Sequence, residues 1–194
     1  FMMIFFASSS FAKNKDSKFN SVDMVKFSSG TYVIGEGVES YCSERFVDDF
    51  EINRYETTYD LWYEVMIWGL LNGYNFQNPG QEGARGLRGK DPTKMNCLEP
   101  VTCVSWYDVI VWCNAFSEKS GLNPCYKYEG KVLKDSSDGA SCDLAVCDFN
   151  ANGYRLPSEV EWEYAARKTS SGMQRADLVS GQVDAHGNDD DSIP

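Results

Sequence analysis

Two long stretches rich in turn-forming residues interrupt this sequence and restrict the folds open to it. Residues 74–100 contain three prolines and four glycines, and residues 135–152 consist mostly of Asp, Ser, Asn and Gly. Proline and glycine interrupt helices and strands alike, so both stretches are predicted to be irregular. The regular segments between them do not alternate as strand–helix–strand units. The sequence therefore predicts an α+β fold rather than an α/β fold.

Three segments carry the apolar spacing or the start signals of helices. After the threonines at 57–58, Leu61, Trp62 and Val65 recur at helical spacing up to a stop at Asn72-Gly73. Two further segments begin with a serine followed three residues later by an acid, which is a capping-box arrangement. These boxes are Ser105 with Asp108 and Ser158 with Glu161, and the second predicts a helix over about 159–167.

Short β-prone runs lie around these helices. Residues 24–27 and 31–34 flank a short turn and are predicted to pair as a hairpin. Residues 46–52 alternate weakly and are predicted to add one strand. Residues 126–134 are predicted to form a second hairpin around Glu129-Gly130.

The charge of the chain restricts its partners. Lys and Arg number 18 against 29 Asp and Glu, a net charge of −11. Such a surface repels nucleic-acid phosphates and anionic lipid head groups, so nucleic acid is not expected as a partner. The single histidine, His186, lies in a polar tail, which argues against a His-rich metal centre or a Ser/His or Cys/His catalytic pair. No catalytic residue is predicted, and the partner is left as a protein or a small ligand.

The cysteines do not follow a zinc-binding pattern. Their separations contain no Cys-x-x-Cys pair, and the seven are Cys42, Cys97, Cys103, Cys113, Cys125, Cys142 and Cys147. In an exported protein some of them would form disulfides, and the alternative is that they are small buried hydrophobic residues. Cys113 is predicted to be buried because it lies within an amphipathic helix.

The beginning of the chain is typical of the end of a signal peptide. Residues 1–12 read FMMIFFASSSFA, an apolar run that ends in small residues. The run is shorter than the ~20 residues that span a bilayer, so no transmembrane segment is predicted. The predicted organisation is a signal-peptide end at 1–12, a linker at 13–22 and one domain over 23–194, with export to the periplasm, cell surface or medium. The alternative for 1–12 is a buried N-terminal strand.

Four blocks occur in an order that identifies a family. They are GTYVIG at 30–35, FEINRYETT at 50–58, PVTCVSWYD at 100–108 and GYRLPSEVEWEYAAR at 153–167. Together they resemble the sulfatase-modifying-factor family, to which the formylglycine-generating enzyme belongs. The resemblance covers roughly residues 25–167 and implies a C-type-lectin-like α+β fold.

The resemblance also carries expectations about function. Oxidase members of the family hold copper through two cysteine thiolates that follow the last block, a part of the domain expected beyond Pro194. Cys142 and Cys147 share the spacing of that pair but precede the block, so they are predicted to be a loop disulfide or buried thiols. The domain is thus expected to be incomplete at its C-terminus. The prediction is an exported, non-oxidase ligand-binding or accessory member. The alternative is a copper-dependent formylglycine-generating oxidase that acts on a sulfatase cysteine, with its catalytic cysteines in the missing part.

Four tryptophans are predicted to pack in the core, because each lies on or beside a predicted helical stripe. They are Trp62, Trp106, Trp112 and Trp162. Trp106 and Trp162 each follow a capping serine and are expected to anchor the start of a helix.

A calcium site is expected near the end of the chain. Residues 184–191 gather hard oxygen ligands, and family members carry structural calcium after the block at 153–167. Asn188 and Asp189 are the expected ligands. The alternative is a solvated acidic tail.

Overall fold

The computed structural model describes residues 7–8, 22–35, 42–169 and 172–173. The described helices are α1 (Tyr59–Leu71), α2 (Trp106–Lys119), α3 (Gly139–Asp143) and α4 (Glu159–Arg167). The described strands are β1 (Ala7–Ser8), β2 (Met24–Phe27), β3 (Gly30–Ile34), β4 (Ser43–Val47), β5 (Phe50–Asn53), β6 (Gln81–Glu82), β7 (Val101–Thr102), β8 (Tyr126–Tyr128), β9 (Lys131–Val132), β10 (Val146–Cys147), β11 (Lys168–Thr169) and β12 (Gly172–Met173). The chain divides into two compact units. The larger unit comprises Phe1–Val25 and Glu51–Leu156, and the smaller unit comprises Lys26–Phe50 and Pro157–Pro194.

The core of the larger unit forms where α1 packs on α2. The rings of Trp62 and Trp112 stack with centroids 5.3 Å apart and planes within 4°. The Trp112 indole N–H also donates to the Trp62 carbonyl at 3.1 Å, so the polar edge of this buried ring is satisfied. Both side chains are fully buried, which confirms the predicted core position of these two tryptophans.

Helix starts follow the predicted signals. Helix α1 begins after Thr58 and ends at Asn72. At the start of α2, the Ser105 side chain accepts from the Asp108 N–H at 3.2 Å, and the Asp108 carboxylate accepts from the Ser105 N–H at 2.8 Å. Two backbone donors are thereby satisfied, which confirms the capping box.

The predicted hairpin at 126–134 is confirmed. Strands β8 and β9 pair antiparallel around Glu129 and Gly130, which take φ values of 49° and 75°. Two consecutive residues in the left-handed region are typical of a two-residue hairpin turn. The buried Asn114 amide of α2 donates to the Leu133 carbonyl at 2.9 Å, which fixes the hairpin on the helix.

The predicted hairpin at 24–34 is wrong in its pairing. Its two runs do form strands, but β3 pairs with β4 from Gly30 opposite Val47 to Ile34 opposite Ser43. Strand β2 instead belongs to a three-stranded sheet of order β1-β5-β2. The expected single strand at 46–52 is two strands, β4 and β5, separated at residues 48–49. Apolar patterning predicts that a strand forms, whereas its partner is chosen by tertiary packing.

The stretch 135–152 contains more regular structure than predicted. It includes the one-turn helix α3, capped by the Asp138 carboxylate, which accepts from the Ser141 N–H at 3.1 Å. It also includes β10, which pairs with β8. A helix of five residues is too short to show a periodic apolar pattern.

In the smaller unit, α4 contacts strands β3 and β4. Its capping box is confirmed, with the Ser158 N–H donating to Glu161 at 2.7 Å. The Arg167 guanidinium donates to the Val33 carbonyl at 2.8 Å and to Glu163 at 2.6 Å. The predicted helix 159–167 is therefore confirmed, together with the strand it packs on.

The core positions predicted for Trp106 and Trp162 are wrong. Their side chains are 42% and 48% exposed. In α4 the buried positions include Tyr164 and Arg167, and Trp162 lies about 200° around the helix from Tyr164 at about 100° per residue. A capping serine fixes where a helix starts but not which face is buried.

Most of residues 1–22 lies outside the described residues. The part that is described, β1, pairs with β5, and Ala7 is fully buried opposite Ile52. This arrangement is the buried strand considered as the alternative to a signal peptide. None of the helices in the described ranges combines the length and the hydropathy that a membrane span requires.

Candidate functional site

A cleft of about 620 Å³ opens in the larger unit between the start of α1 and the irregular segment 82–99. Its lining combines charged, amide, hydroxyl and apolar groups, from Tyr59, Glu82, Ala84, Arg85, Gly86, Leu87, Lys90, Asp91, Thr93, Asn96 and Glu99. Concave sites with this mixture are the usual places for small ligands.

Glycines shape the wall of the cleft. The Gly89 N–H donates to the Gly80 carbonyl at 2.9 Å and closes the loop, and the Gly86 N–H donates to the Glu82 carbonyl at 2.9 Å. A Cβ at Gly86 would collide with that same carbonyl. The chain can therefore make this tight wall only with glycine at 86.

Tyr59 forms the buried floor of the cleft. Its hydroxyl donates to the Lys90 carbonyl at 2.8 Å, which connects α1 to the loop. Burial, with further contributions from Tyr63, Glu82 and Asp91, raises the pKa of Tyr59 to about 12. The phenol stays neutral at physiological pH and acts as a hydrogen-bond donor.

Two of the cleft carboxylates have partners within the protein. Buried Glu82 accepts from the Thr93 N–H at 2.8 Å and from its hydroxyl at 2.9 Å. Asp91 accepts from the Tyr63 hydroxyl at 2.5 Å. These acids hold the loop in place, because each joins it to itself or to α1.

Four other cleft side chains have no such engagement. Among the described residues, no hydrogen bond or ion pair involves the side chains of Arg85, Lys90, Asn96 or Glu99. The cleft thus presents two cations, an amide and a carboxylate next to the Tyr59 ring and Leu87. The sequence singled out the segment as a long loop but not these residues, and its four closely spaced glycines were the available signal.

Asp108 positions the loop that forms the cleft. Its fully buried carboxylate accepts from the Asn78 N–H at 3.1 Å, the Asn78 amide at 2.8 Å and the Ser136 hydroxyl at 2.6 Å, besides its bonds to Ser105. Burial alone would raise the pKa of Asp108, but the hydrogen bonds from Ser105, Ser136 and Asn78 outweigh it and lower that pKa. Both turn-rich stretches therefore attach to α2 through one carboxylate.

A model of the sulfatase-modifying factor enzyme 1-like domain matches residues 10–190. The chain belongs to this family. The resemblance carried by the four sequence blocks is thereby confirmed.

Known proteins similar to this sulfatase-modifying-factor-like domain are longer than it. The chaperone protein LppX of Paenibacillus barcinonensis is 35% identical over 124 residues, which are 62% of this chain and 36% of LppX. The crystal structure of CarF is matched with a TM-score of 0.63 and 30% identity over 75% of this chain and 56% of CarF. Treponema denticola variable protein 1 is matched with a TM-score of 0.51 and 28% identity over 75% of this chain and 52% of that protein. The chain spans about a third of LppX and about half of each solved chain. The predicted mixture of helices and strands is confirmed, with a fold similar to that of CarF.

Five cysteines of this sulfatase-modifying-factor-like domain are free thiols in the structure: Cys97, Cys103, Cys113, Cys125 and Cys142. Burial raises the pKa of Cys113, raises that of Cys125 to about 12 and raises that of Cys142 to about 11. The predicted burial of Cys113 is confirmed, and Cys147 is half-buried. Raised pKa values disfavour the thiolate, the form in which cysteine reacts and binds metal.

The expected calcium ligands cannot be placed. Asn188 and Asp189 lie outside the described residues, so the site stays a prediction. Within the described ranges, no group of three or more His, Cys, Asp or Glu side chains is arranged to hold a metal ion.

Proposed function

We propose that this sulfatase-modifying-factor-like domain is a non-oxidase, ligand-binding member of its family with a lectin-like fold, and that it binds a small ligand in the cleft beside Tyr59. The observation that carries the proposal is the set of unengaged polar side chains on the cleft wall. Solvent-exposed side chains without partners are available to a ligand at little cost in lost protein hydrogen bonds.

The chemistry of the wall favours a ligand with an anionic group and a small apolar body. Arg85 and Lys90 provide charge-assisted donors for a carboxylate or phosphate. The Tyr59 ring and Leu87 provide apolar contact, and Asn96 provides orientation. The similar protein LppX is named a chaperone protein, which agrees with a non-oxidase role for this domain.

The test is a thermal-shift screen of the purified chain with a panel of organic acids, amino acids, sugar phosphates and neutral sugars, followed by calorimetry. An acidic ligand should raise the melting temperature, and Arg85→Ala and Lys90→Ala should each reduce its affinity by about tenfold or more, a loss of 1.4 kcal/mol or above. Lys131→Ala is the matched control, because Lys131 is an exposed cation outside the cleft. Equal losses in all three variants would refute cleft binding.

The oxidase alternative is tested on the same preparation. Copper(I) titration monitored by thiolate absorption should show no tight site at Cys142 and Cys147. A tight site that disappears in the Cys142→Ser, Cys147→Ser double variant would favour copper chemistry in this part of the chain. Conversion of a cysteine to an aldehyde in a sulfatase-derived peptide, detected by mass spectrometry, would favour the oxidase alternative.

We also propose export, on the basis of the apolar segment 1–12. N-terminal sequencing of the protein from its natural source separates the two alternatives for this segment. A mature chain that starts after Ala12 supports the signal peptide. A chain that retains Ala7 supports β1 as part of the folded domain and removes this argument for export.

A further inference from the structure

Residues 82–98, called here the basic loop, carry four cations against two acids, a local net charge of +2. The cations are Arg85, Arg88, Lys90 and Lys94, and none makes an ion pair with any described residue. Five cations elsewhere in the described ranges do form salt bridges, at distances of 2.6–3.0 Å: Arg54, Lys119, Lys127, Lys134 and Arg167. Arg45, Lys131 and Lys168 also lack an ion pair among the described residues, but they are scattered, whereas the basic loop places four unpaired cations within residues 85–94.

The two acids of the basic loop do not offset this concentration by ion pairing. Glu82 is buried and bonded to Thr93, and Asp91 accepts from the Tyr63 hydroxyl of α1. The loop accordingly presents its basic side chains outward while its acids are used to hold its shape.

Exposed aliphatic side chains are interleaved with these cations. Leu87, Met95 and Leu98 are 71%, 92% and 69% exposed. Lys94 and Met95 lie in a turn closed by the Cys97 N–H, which donates to the Thr93 carbonyl at 3.1 Å, and Leu98 lies in the next turn, closed by the Glu99 N–H, which donates to the Asn96 carbonyl at 2.8 Å. Exposed apolar side chains next to unpaired Lys and Arg are typical of surfaces that bind at the membrane interface.

We propose that the basic loop docks on a bilayer surface containing anionic lipids, with Met95 and Leu98 in the head-group region and Arg88 and Lys94 against lipid phosphates. The net charge of −11 disfavours contact with an anionic surface, but physiological salt screens the acids that lie more than about 8 Å from the bilayer, so the charges of the loop itself dominate at contact. An acidic protein is a less suitable partner. Hot spots of protein interfaces are enriched in Trp, Tyr and Arg, and although the basic loop contains Arg85 and Arg88, its exposed apolar side chains are all aliphatic.

Vesicle flotation tests the proposal, with vesicles of phosphatidylcholine and phosphatidylglycerol in equal parts compared with vesicles of phosphatidylcholine alone. Arg88→Gln/Lys94→Gln removes two loop cations and leaves the cleft lining intact. Lys131→Gln/Lys168→Gln changes the net charge equally outside the loop. The loop variant should bind anionic vesicles about thirtyfold more weakly, while the control should bind like the parent. Met95→Ser/Leu98→Ser should lose about tenfold.

Several results would overturn the proposal. They are equal losses in the loop and control variants, equal binding to both kinds of vesicle, or no vesicle binding by the parent chain. A loop variant that keeps its vesicle binding and loses only self-association in light scattering would also overturn the proposal. The loop would then be a contact between copies of the chain. None of the substituted residues lines the cleft, so failure here is independent of the cleft proposal.

Discussion

Replacing Asp108 by Asn should destabilise the fold far more than its conservative size suggests. The carboxylate is fully buried and receives hydrogen bonds from Ser105, Asn78 and Ser136. An amide turns one acceptor oxygen into a donor group, so at least one buried donor loses its partner and meets another donor.

The magnitude follows from these bonds. A buried donor without a partner costs about 1–3 kcal/mol, and a damaged helix cap costs about 1 kcal/mol more. With at least one donor unsatisfied and the cap weakened, the expected loss is about 2–4 kcal/mol. That is a large part of the ~5–15 kcal/mol that stabilises a typical domain.

Urea unfolding monitored by tryptophan fluorescence measures this loss, because Trp62 and Trp112 are buried in the same unit. Asp138→Asn is the matched control, since Asp138 also caps a helix, α3, but is exposed. The control should lose well under about 1 kcal/mol, because asparagine caps a helix about as well as aspartate. Losses for the two variants that agree within about 1 kcal/mol would refute the role assigned to the buried network.

The same variant has a pH signature. Folding lowers the pKa of Asp108, so its ionised carboxylate stabilises the fold. This stabilisation is fully present above the unfolded-state pKa of about 3.9 and is lost as the pH falls through the folded-state pKa. The gap in stability between the parent and Asp108→Asn should therefore narrow below about pH 4. A gap that stays constant from neutral pH to acid would contradict the lowered pKa.

Three further outcomes are expected. Trp112→Ala should cost about 3–5 kcal/mol in urea unfolding, whereas the half-exposed Trp162→Ala should cost about 1 kcal/mol, and similar losses would contradict the burial described here. Gly80→Ala should cost about 2–3 kcal/mol, because Gly80 has a φ of 78° and an added Cβ would lie 2.8 Å from core atoms; a melting temperature equal to the parent's would contradict this strain. If Asn188 and Asp189 bind calcium, as we propose, millimolar Ca²⁺ should give heat in calorimetry and raise the melting temperature, and Asn188→Ala/Asp189→Ala should abolish both effects.

The sequence by itself determined where helices begin. Ser105 with Asp108 and Ser158 with Glu161 are local devices, since each box joins residues three apart and needs no distant partner. The Glu129-Gly130 turn is local in the same sense. The family could also be read from the sequence, because its blocks are contiguous runs.

Tertiary structure decided what these local signals leave open. The pairing of β3 with β4, rather than with β2, depends on which strands bury their apolar faces together. Trp106 and Trp162 follow capping serines but are exposed, since the direction in which a helix faces the core is set by its neighbours.

The candidate cleft was the feature least accessible from the sequence. Tyr59 lies 31 residues before Lys90, and the two line one cavity only because the loop closes on itself through glycine and attaches to α2 through Asp108. The net charge likewise did not reveal the basic loop. Composition counts charged residues, whereas the fold determines which of them form ion pairs. Contacts between residues distant in sequence, not local propensity, therefore produced the proposed binding surfaces.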